Sequence, residues 1–148
     1  MIKEKVLVDI YGNGNNKINI MSNISYSAVV LDEQSRERLI NRFKSIIPEG
    51  FEIIAHHMTI NLGEIDPEYE KYLGLAVRLT VNDIAMDDKV IAVGVSSGIK
   101  SVNAKPHITL AVNKTNGGKP VMSNYLTNWE NLRRPLLLRG KITQVEFK

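Results

Sequence analysis

The sequence predicts an α+β fold with mostly antiparallel pairing, and three observations carry that expectation. Short segments rich in Val, Ile, Leu and Thr dominate the chain, the segments with helical spacing are few and set apart, and turn residues separate consecutive strand candidates. Val6 to Tyr11 and Ile18 to Ile20 read as two strands joined by Gly12-Asn13-Gly14-Asn15-Asn16, whose residues tolerate positive φ. Residues 1–22 are thus expected to form an N-terminal β-hairpin extension on one domain spanning 1–148. Ile24 to Leu31 is a third strand. Asp32 can cap a helix running to about Ile47, because Leu39, Ile40, Phe43, Ile46 and Ile47 recur at helical spacing while Arg36, Glu37, Arg38, Arg42 and Lys44 fill the other face. Pro48-Glu49-Gly50 ends it.

Phe51 to Leu62 follows as an extended segment, and Pro67 to Leu73 as one or two helical turns. Gly74 to Met86 and Lys89 to Ser96 read as a hairpin turning at Asp87-Asp88. Pro106 to Val112 is another strand, Met122 to Leu132 is weakly helical, and Leu136 to Phe147 closes the chain as β.

Composition narrows the chemistry. With 43% hydrophobic and 24% charged residues the chain is an ordinary globular protein, and at 148 residues it buries roughly 70% of its unfolded surface without a staple. Cys is 0, which excludes thiol catalysis, disulfide frameworks, zinc fingers and iron–sulfur clusters. The formal charge of +3 is too small for a dedicated duplex binder, so no duplex DNA partner is expected. The excess is uneven: from Lys89 to Lys148 ten Lys and Arg face only Glu130 and Glu146, so an anion should be met there. No apolar run is long enough to span a bilayer, and Met1-Ile2-Lys3-Glu4-Lys5 lacks the features of a signal peptide. The expectation is a cytoplasmic protein with no membrane partner.

Two strand segments share one pattern, His57-Met58-Thr59-Ile60 and His107-Ile108-Thr109-Leu110. Side chains alternate along a strand, so His57 and Thr59 share one face while Met58, Ile60 and Leu62 take the other; His107 and Thr109 separate in the same way from Ile108, Leu110 and Val112. If the two strands face one another across a cleft, two imidazoles and two hydroxyls converge on a volume the size of a phosphate. One neutral His can then accept a proton from an attacking oxygen while the other, protonated, gives one to the leaving oxygen. The Thr hydroxyls can donate to phosphate oxygens, and the scheme needs neither metal nor cofactor. A single His-x-Thr means little, but this chain has three His and two of them occupy equivalent places. The third, His56, is expected to point to the opposite face as a structural residue.

The paired motifs resemble the 2H phosphoesterase superfamily of 2′,3′-cyclic phosphodiesterases, 2′–5′ RNA ligase-like proteins and the cyclic phosphodiesterase domain of fungal tRNA ligases. The resemblance runs from about Tyr26 to the C-terminus. Tyr26-Ser27-Ala28-Val29-Val30-Leu31, Ala55-His56-His57-Met58-Thr59-Ile60 and Gly117-Gly118-Lys119-Pro120 look most like small phage or bacterial members and the tRNA-ligase-type domain. It implies a bilobed fold, two antiparallel-sheet lobes with pseudo-twofold symmetry around a central cleft, and metal-independent chemistry on cyclic or 2′–5′ phosphodiesters. Carried over, His57, Thr59, His107 and Thr109 are the catalytic set. The motifs stand only 50 residues apart (107 − 57), so the elements that choose the substrate are expected to be reduced or replaced by the N-terminal hairpin.

Lys105, two residues before His107, and Lys119, after Gly117-Gly118, are candidate phosphate ligands, with Ser123 and Asn124 weaker ones. Tyr26 and Tyr125 are candidates to stack on a base, whereas Phe51 and Trp129 read as core. Arg133-Arg134 reads as a helix C-terminal pair. The expected substrate is an RNA end, a nucleotide, or a small cyclic or 2′–5′-linked oligonucleotide. A phosphodiesterase leads; 2′–5′ ligation, a non-catalytic RNA- or nucleotide-binding module and a three-histidine metallohydrolase are the rivals.

Overall fold

The computed structural model describes the backbone of residues 6–10 and 18–148 and the side chains of residues 22–148. β1 (Val6–Ile10) and β2 (Ile18–Met21) pair antiparallel in a sheet of their own, as the sequence suggested; the Gly/Asn turn between them lies outside the described residues. The remaining elements are β3 (Ile24–Leu31), α1 (Glu33–Phe43), β4 (Glu52–Ile53), β5 (His57–Leu62), β6 (Ala76–Met86), β7 (Val90–Ser96), β8 (His107–Val112) and β9 (Glu130–Glu146). Short 3-10 helices cover Pro67–Tyr72, Lys114–Asn116 and Pro120–Tyr125.

The order β8-β5-β3-β9-β6-β7 returns to β8, so six antiparallel strands close into a barrel. The halves carrying the two motifs are therefore joined in one ring of strands and not parted into two free-standing sheets. Closure leaves this ring without an open edge. Val29, Met58, Leu79, Val81, Val93, Ile108, Leu138 and Ile142 fill the interior, and Leu39 and Phe43 of α1 join the same cluster. Asp32 caps α1 by accepting from the Ser35 amide, 2.7 Å away. The helix ends at Phe43, a turn earlier than its apolar periodicity suggests, and the residues up to Ile47 continue as turns.

β9 runs unbroken for 17 residues, so Arg133-Arg134 is part of a strand and not the end of a helix. The predicted helix over Met122 to Leu132 shrinks to the 3-10 turn Pro120–Tyr125. Its apolar residues were spaced for burial all the same: Met122, Leu126 and Trp129 pack with Ala85, Val90, Ala92 and Val112 in a second cluster. β3 accompanies only the C-terminal part of β9. Beside the rest, α1 satisfies the strand's backbone: Arg38 donates to the Leu137 carbonyl at 2.8 Å, Arg42 to the Arg134 carbonyl at 2.6 Å, and Ser35 Oγ accepts from the Arg139 amide at 2.8 Å.

The two motif strands are held alike. Val30, Val29 and Ala28 pair with His57, Met58 and Thr59; Gly94, Val93 and Ala92 pair with His107, Ile108 and Thr109. Both ladders then slip by one residue, at Ile60 and at Leu110. A bulge reverses the alternation beyond it. Leu62 and Val112 therefore leave the face of Met58 and Ile108, against the simple period-two expectation. Val112 enters the second cluster, while Leu62 stands 77% exposed beside Tyr26 and Val145.

Candidate active site

β5 and β8 are immediate neighbours: Met58 pairs with Ile108 in the barrel wall. The arrangement differs from two strands facing across a cleft, and it converges more tightly. His57 and Thr59 flank Met58, His107 and Thr109 flank Ile108, and strand alternation puts all four on the face opposite these two fully buried residues. They share one cleft of about 830 Å³ with Tyr26, His56, Leu62, Val102, Asn103, Val121, Asn124, Val145 and Lys148.

His107 is buried, and its Nδ1–H donates to the Lys105 carbonyl at 2.7 Å. That bond fixes the tautomer and leaves Nε2 for chemistry. Burial pushes the His107 pKa down, the bond to the carbonyl opposes this, and the Lys105 ammonium adds to the depression. His57 stacks against Tyr26 with ring centroids 4.6 Å apart. Burial first, then His56 and His107, lower its pKa to about 4. Burial also raises the Tyr26 phenol above its ordinary value.

His56 is not on the far side of the strand. Its Nδ1 lies 2.9 Å from Nδ1 of His57, and the rings meet edge to face. The reason is local: β5 begins at His57, and Ala55 has a φ of 42°, so strand alternation does not yet govern His56. Burial, Arg36 and Lys148 all lower the His56 pKa. His56 and His57 both line the cleft, so the direction of His56 does not set the three-histidine metallohydrolase aside. The donor geometry still falls short, since among the described residues no three His, Asp or Glu side chains are placed to share one ion.

The two threonines differ. Thr109 donates to the Pro120 carbonyl at 3.3 Å and so accepts from the Ser123 hydroxyl, whose Oγ lies 2.8 Å away. No bond from the Thr59 side chain is formed among the described residues; the Thr59 carbonyl accepts from Ser101 Oγ at 2.7 Å. Ser123 is buried beside Thr109 and lies outside the cleft lining.

Lys105 does not face the cleft. Its ammonium pairs with Asp83 at 2.5 Å and sits 4.8 Å over the Trp129 ring, because Pro106 intervenes between it and the strand. Lys119 and Tyr125 are exposed and lie outside the cleft lining, whereas Asn124 lines it. Phe51 packs on the main core and Trp129 on the second cluster, as their residue types suggested. Sequence reasoning missed the apolar walls Leu62, Val102, Val121 and Val145, and the cation Lys148. It missed Asp83 as well.

No curated protein matches the chain. A family model for the fungal tRNA ligase phosphodiesterase domain matches residues 52–148, which include both His-x-Thr segments. The chain belongs to that family. This fungal tRNA ligase phosphodiesterase family is of the 2H phosphoesterase type, so the superfamily to which the doubled motif pointed is correct. The matched span begins at β4 and takes in both motif strands and β9. Among the described residues no helix is long and apolar enough to cross a membrane.

Proposed function

We propose that the protein hydrolyses the 2′,3′-cyclic phosphate at an RNA end or on a nucleotide by paired-histidine acid–base catalysis. The observation that supports this reading most is the Met58–Ile108 pairing, which gathers His57, Thr59, His107 and Thr109 on the floor of one cleft. The family's printed description supports the phosphodiester, and the tRNA ligase in that description supports RNA. The matched registers and bulges around the two motifs support a pseudo-twofold relation between the halves.

In the proposed reaction a water oxygen attacks phosphorus and a new P–O bond forms. One imidazole takes the water proton, the bond from phosphorus to one ribose oxygen breaks, and the other imidazole protonates that oxygen. A nucleotide monoester results. His57 is the base, because its surroundings favour the neutral ring down to about pH 4. His107 is the acid, because its Nδ1–H bond to the Lys105 carbonyl stabilises an imidazolium. Thr59 supplies a hydroxyl to a non-bridging oxygen, and Tyr26 and Leu62 flank the base or ribose. Each proton transfer contributes roughly 10²–10⁴-fold.

The test is hydrolysis of nucleoside 2′,3′-cyclic monophosphates and of cyclic-phosphate-ended RNA, with EDTA present. Wild type should turn over, and His57→Ala and His107→Ala should each lose about 10²-fold or more. Wild-type rates in either variant overturn the reading.

A further inference from the structure

The outer face of the barrel carries basic residues away from the cleft along one continuous line. His57 pairs with Val30, Val30 with Lys141, and Lys141 with Ala76, so these four form a row across β5, β3, β9 and β6. Lys141 is exposed and stands two strand spacings, roughly 10 Å, from His57. Two residues further along the same face of β9, Arg139 lies directly opposite Arg78 of β6. Both are exposed. Arg38 of α1 meets them in a hollow of about 370 Å³.

This cluster is poorly balanced. Like charges directly opposite on neighbouring strands repel. Asp32 is the only acidic residue lining the hollow among the described residues, one carboxylate against three guanidinium groups, and it also accepts from the Ser35 amide at the start of α1. Arg38 donates to the Leu137 carbonyl and the Ser35 hydroxyl, both neutral, and its charge, like that of Arg139, is felt by the single carboxylate of Asp32. None of Arg38, Arg78, Arg139 or Lys141 forms an ion pair among the described residues. Inside the cleft the balance is reversed: the walls are mainly apolar, and among the described residues Lys148 is the one Lys or Arg in a lining that also holds Glu52. The cleft thus suits a terminal nucleotide, and the cations that would hold further phosphates lie beside it on β9 and β6.

Resting on the reading of the cleft as a cyclic-phosphate site, we propose that Lys141, Arg139, Arg78 and Arg38 form a track for the RNA strand that leads into it. The occupant is a single-stranded RNA backbone, its phosphates meeting the four cations in turn while its cyclic end lies at His57 and His107. The track makes RNA ends, and not free cyclic mononucleotides, the preferred substrate.

The experiment compares wild type, Arg78→Gln/Arg139→Gln and Lys141→Gln on a cyclic mononucleotide and on a cyclic-phosphate-ended RNA of about 20 nucleotides, between roughly 50 and 200 mM salt. The ratio of kcat/KM for RNA to that for mononucleotide should exceed about tenfold in wild type at low salt and fall toward unity in the double variant, with Lys141→Gln between them. The slope of log(kcat/KM) for RNA against log salt should flatten by about 1.4 for the two lost contacts. Fluorescence anisotropy of a 3′-phosphorylated RNA of the same length reads the track without turnover. Weaker RNA binding in the variants supports the track even if wild type cleaves neither substrate, a result that would sink only the catalytic reading. Unchanged RNA affinity and an unchanged ratio overturn the track, as would binding of anionic vesicles in place of RNA.

Discussion

The Asp83 carboxylate reaches the Lys105 ammonium across the bare backbone of Gly94. Asp83, Gly94 and His107 are successive partners across β6, β7 and β8, so the ion pair sits beside the histidine whose Nδ1–H is held by the Lys105 carbonyl. A Cβ on Gly94 would lie 1.9 Å from Asp83 Oδ1 and 2.8 Å from Lys105 Cε. Position 94 therefore admits only glycine without rearrangement. Gly94→Ala should lower stability by about 1–3 kcal/mol in a urea titration and reduce kcat more than it raises KM, because His107 is displaced while the rest of the cleft is intact. An unchanged unfolding midpoint would show that Asp83 can move aside freely.

Lys105 was a candidate phosphate ligand, and its contacts give it another role. Among the described residues Lys105 is the one cation paired with the buried Asp83 and Oδ1 has no hydrogen-bond partner, so Lys105→Met leaves that carboxylate unpaired there. Removing one partner of a buried pair costs about 3–5 kcal/mol, and less here because the lysine side chain is 44% exposed. The ammonium lowers the His107 pKa, so its removal should raise it. The alkaline limb of the kcat/KM profile should move to higher pH in Lys105→Met, with KM for a cyclic mononucleotide little changed. A large rise in KM without a shift of the limb would restore the phosphate-ligand role.

Both motif histidines have pKa values below the ordinary 6.5 for the same leading cause, burial. Catalysis needs one ring neutral and the other protonated, so kcat/KM, which reports the free enzyme, should peak below pH 6.5 and fall above it. The kcat profile should lie at higher pH, because a bound phosphate anion stabilises the imidazolium. The same shifts bear on folding. The unfolded chain takes up protons on these rings at higher pH than the folded one, so stability is full above about pH 6.5 and is lost as pH falls toward 4. Denaturant midpoints between pH 7 and 4 should fall, and fall less in His57→Phe. A kcat/KM optimum at pH 8 or above would refute the assignment.

The parts of the site that follow from adjacent residues were legible in the sequence. His57 with Thr59 and His107 with Thr109 needed only the period of a strand, and β3, β5, β6, β7 and β8 each have their own run of Val, Ile, Leu and Thr. What was not legible depends on partners distant in sequence. The bulges at Ile60 and Leu110 are set by β3 and β7, and they send Leu62 and Val112 to the unexpected face. Met122, Leu126 and Trp129 are spaced as a helix would be, yet their burial comes from a 3-10 turn and loop folded over Val112. Asp83 reads as an ordinary polar residue in a strand until Gly94 and Lys105 are brought beside it. His56 escaped because alternation was applied one residue before the strand begins.

The threonines, equivalent in sequence, should be unequal in function. Thr59 has a hydroxyl without a protein partner among the described residues, ready to donate to a phosphate oxygen, whereas the Thr109 proton is directed to the Pro120 carbonyl. A substrate oxygen must compete for the Thr109 proton, and the 3.3 Å length of that bond makes it a weak competitor. Ser123 then decides the outcome, since its own donated bond at 2.8 Å holds Thr109 in place. Thr59→Val should lower kcat/KM by roughly tenfold to a hundredfold, the effect of about 1.5–3 kcal/mol for a hydrogen bond to a charged group. Ser123→Ala should act through Thr109, lowering kcat by a smaller factor, and adding it to Thr109→Val should have almost no further effect. Steady-state kinetics of wild type, Ser123→Ala, Thr109→Val and their double variant on a cyclic mononucleotide form the cycle. Additive losses for Ser123 and Thr109 would mean that each touches the substrate on its own.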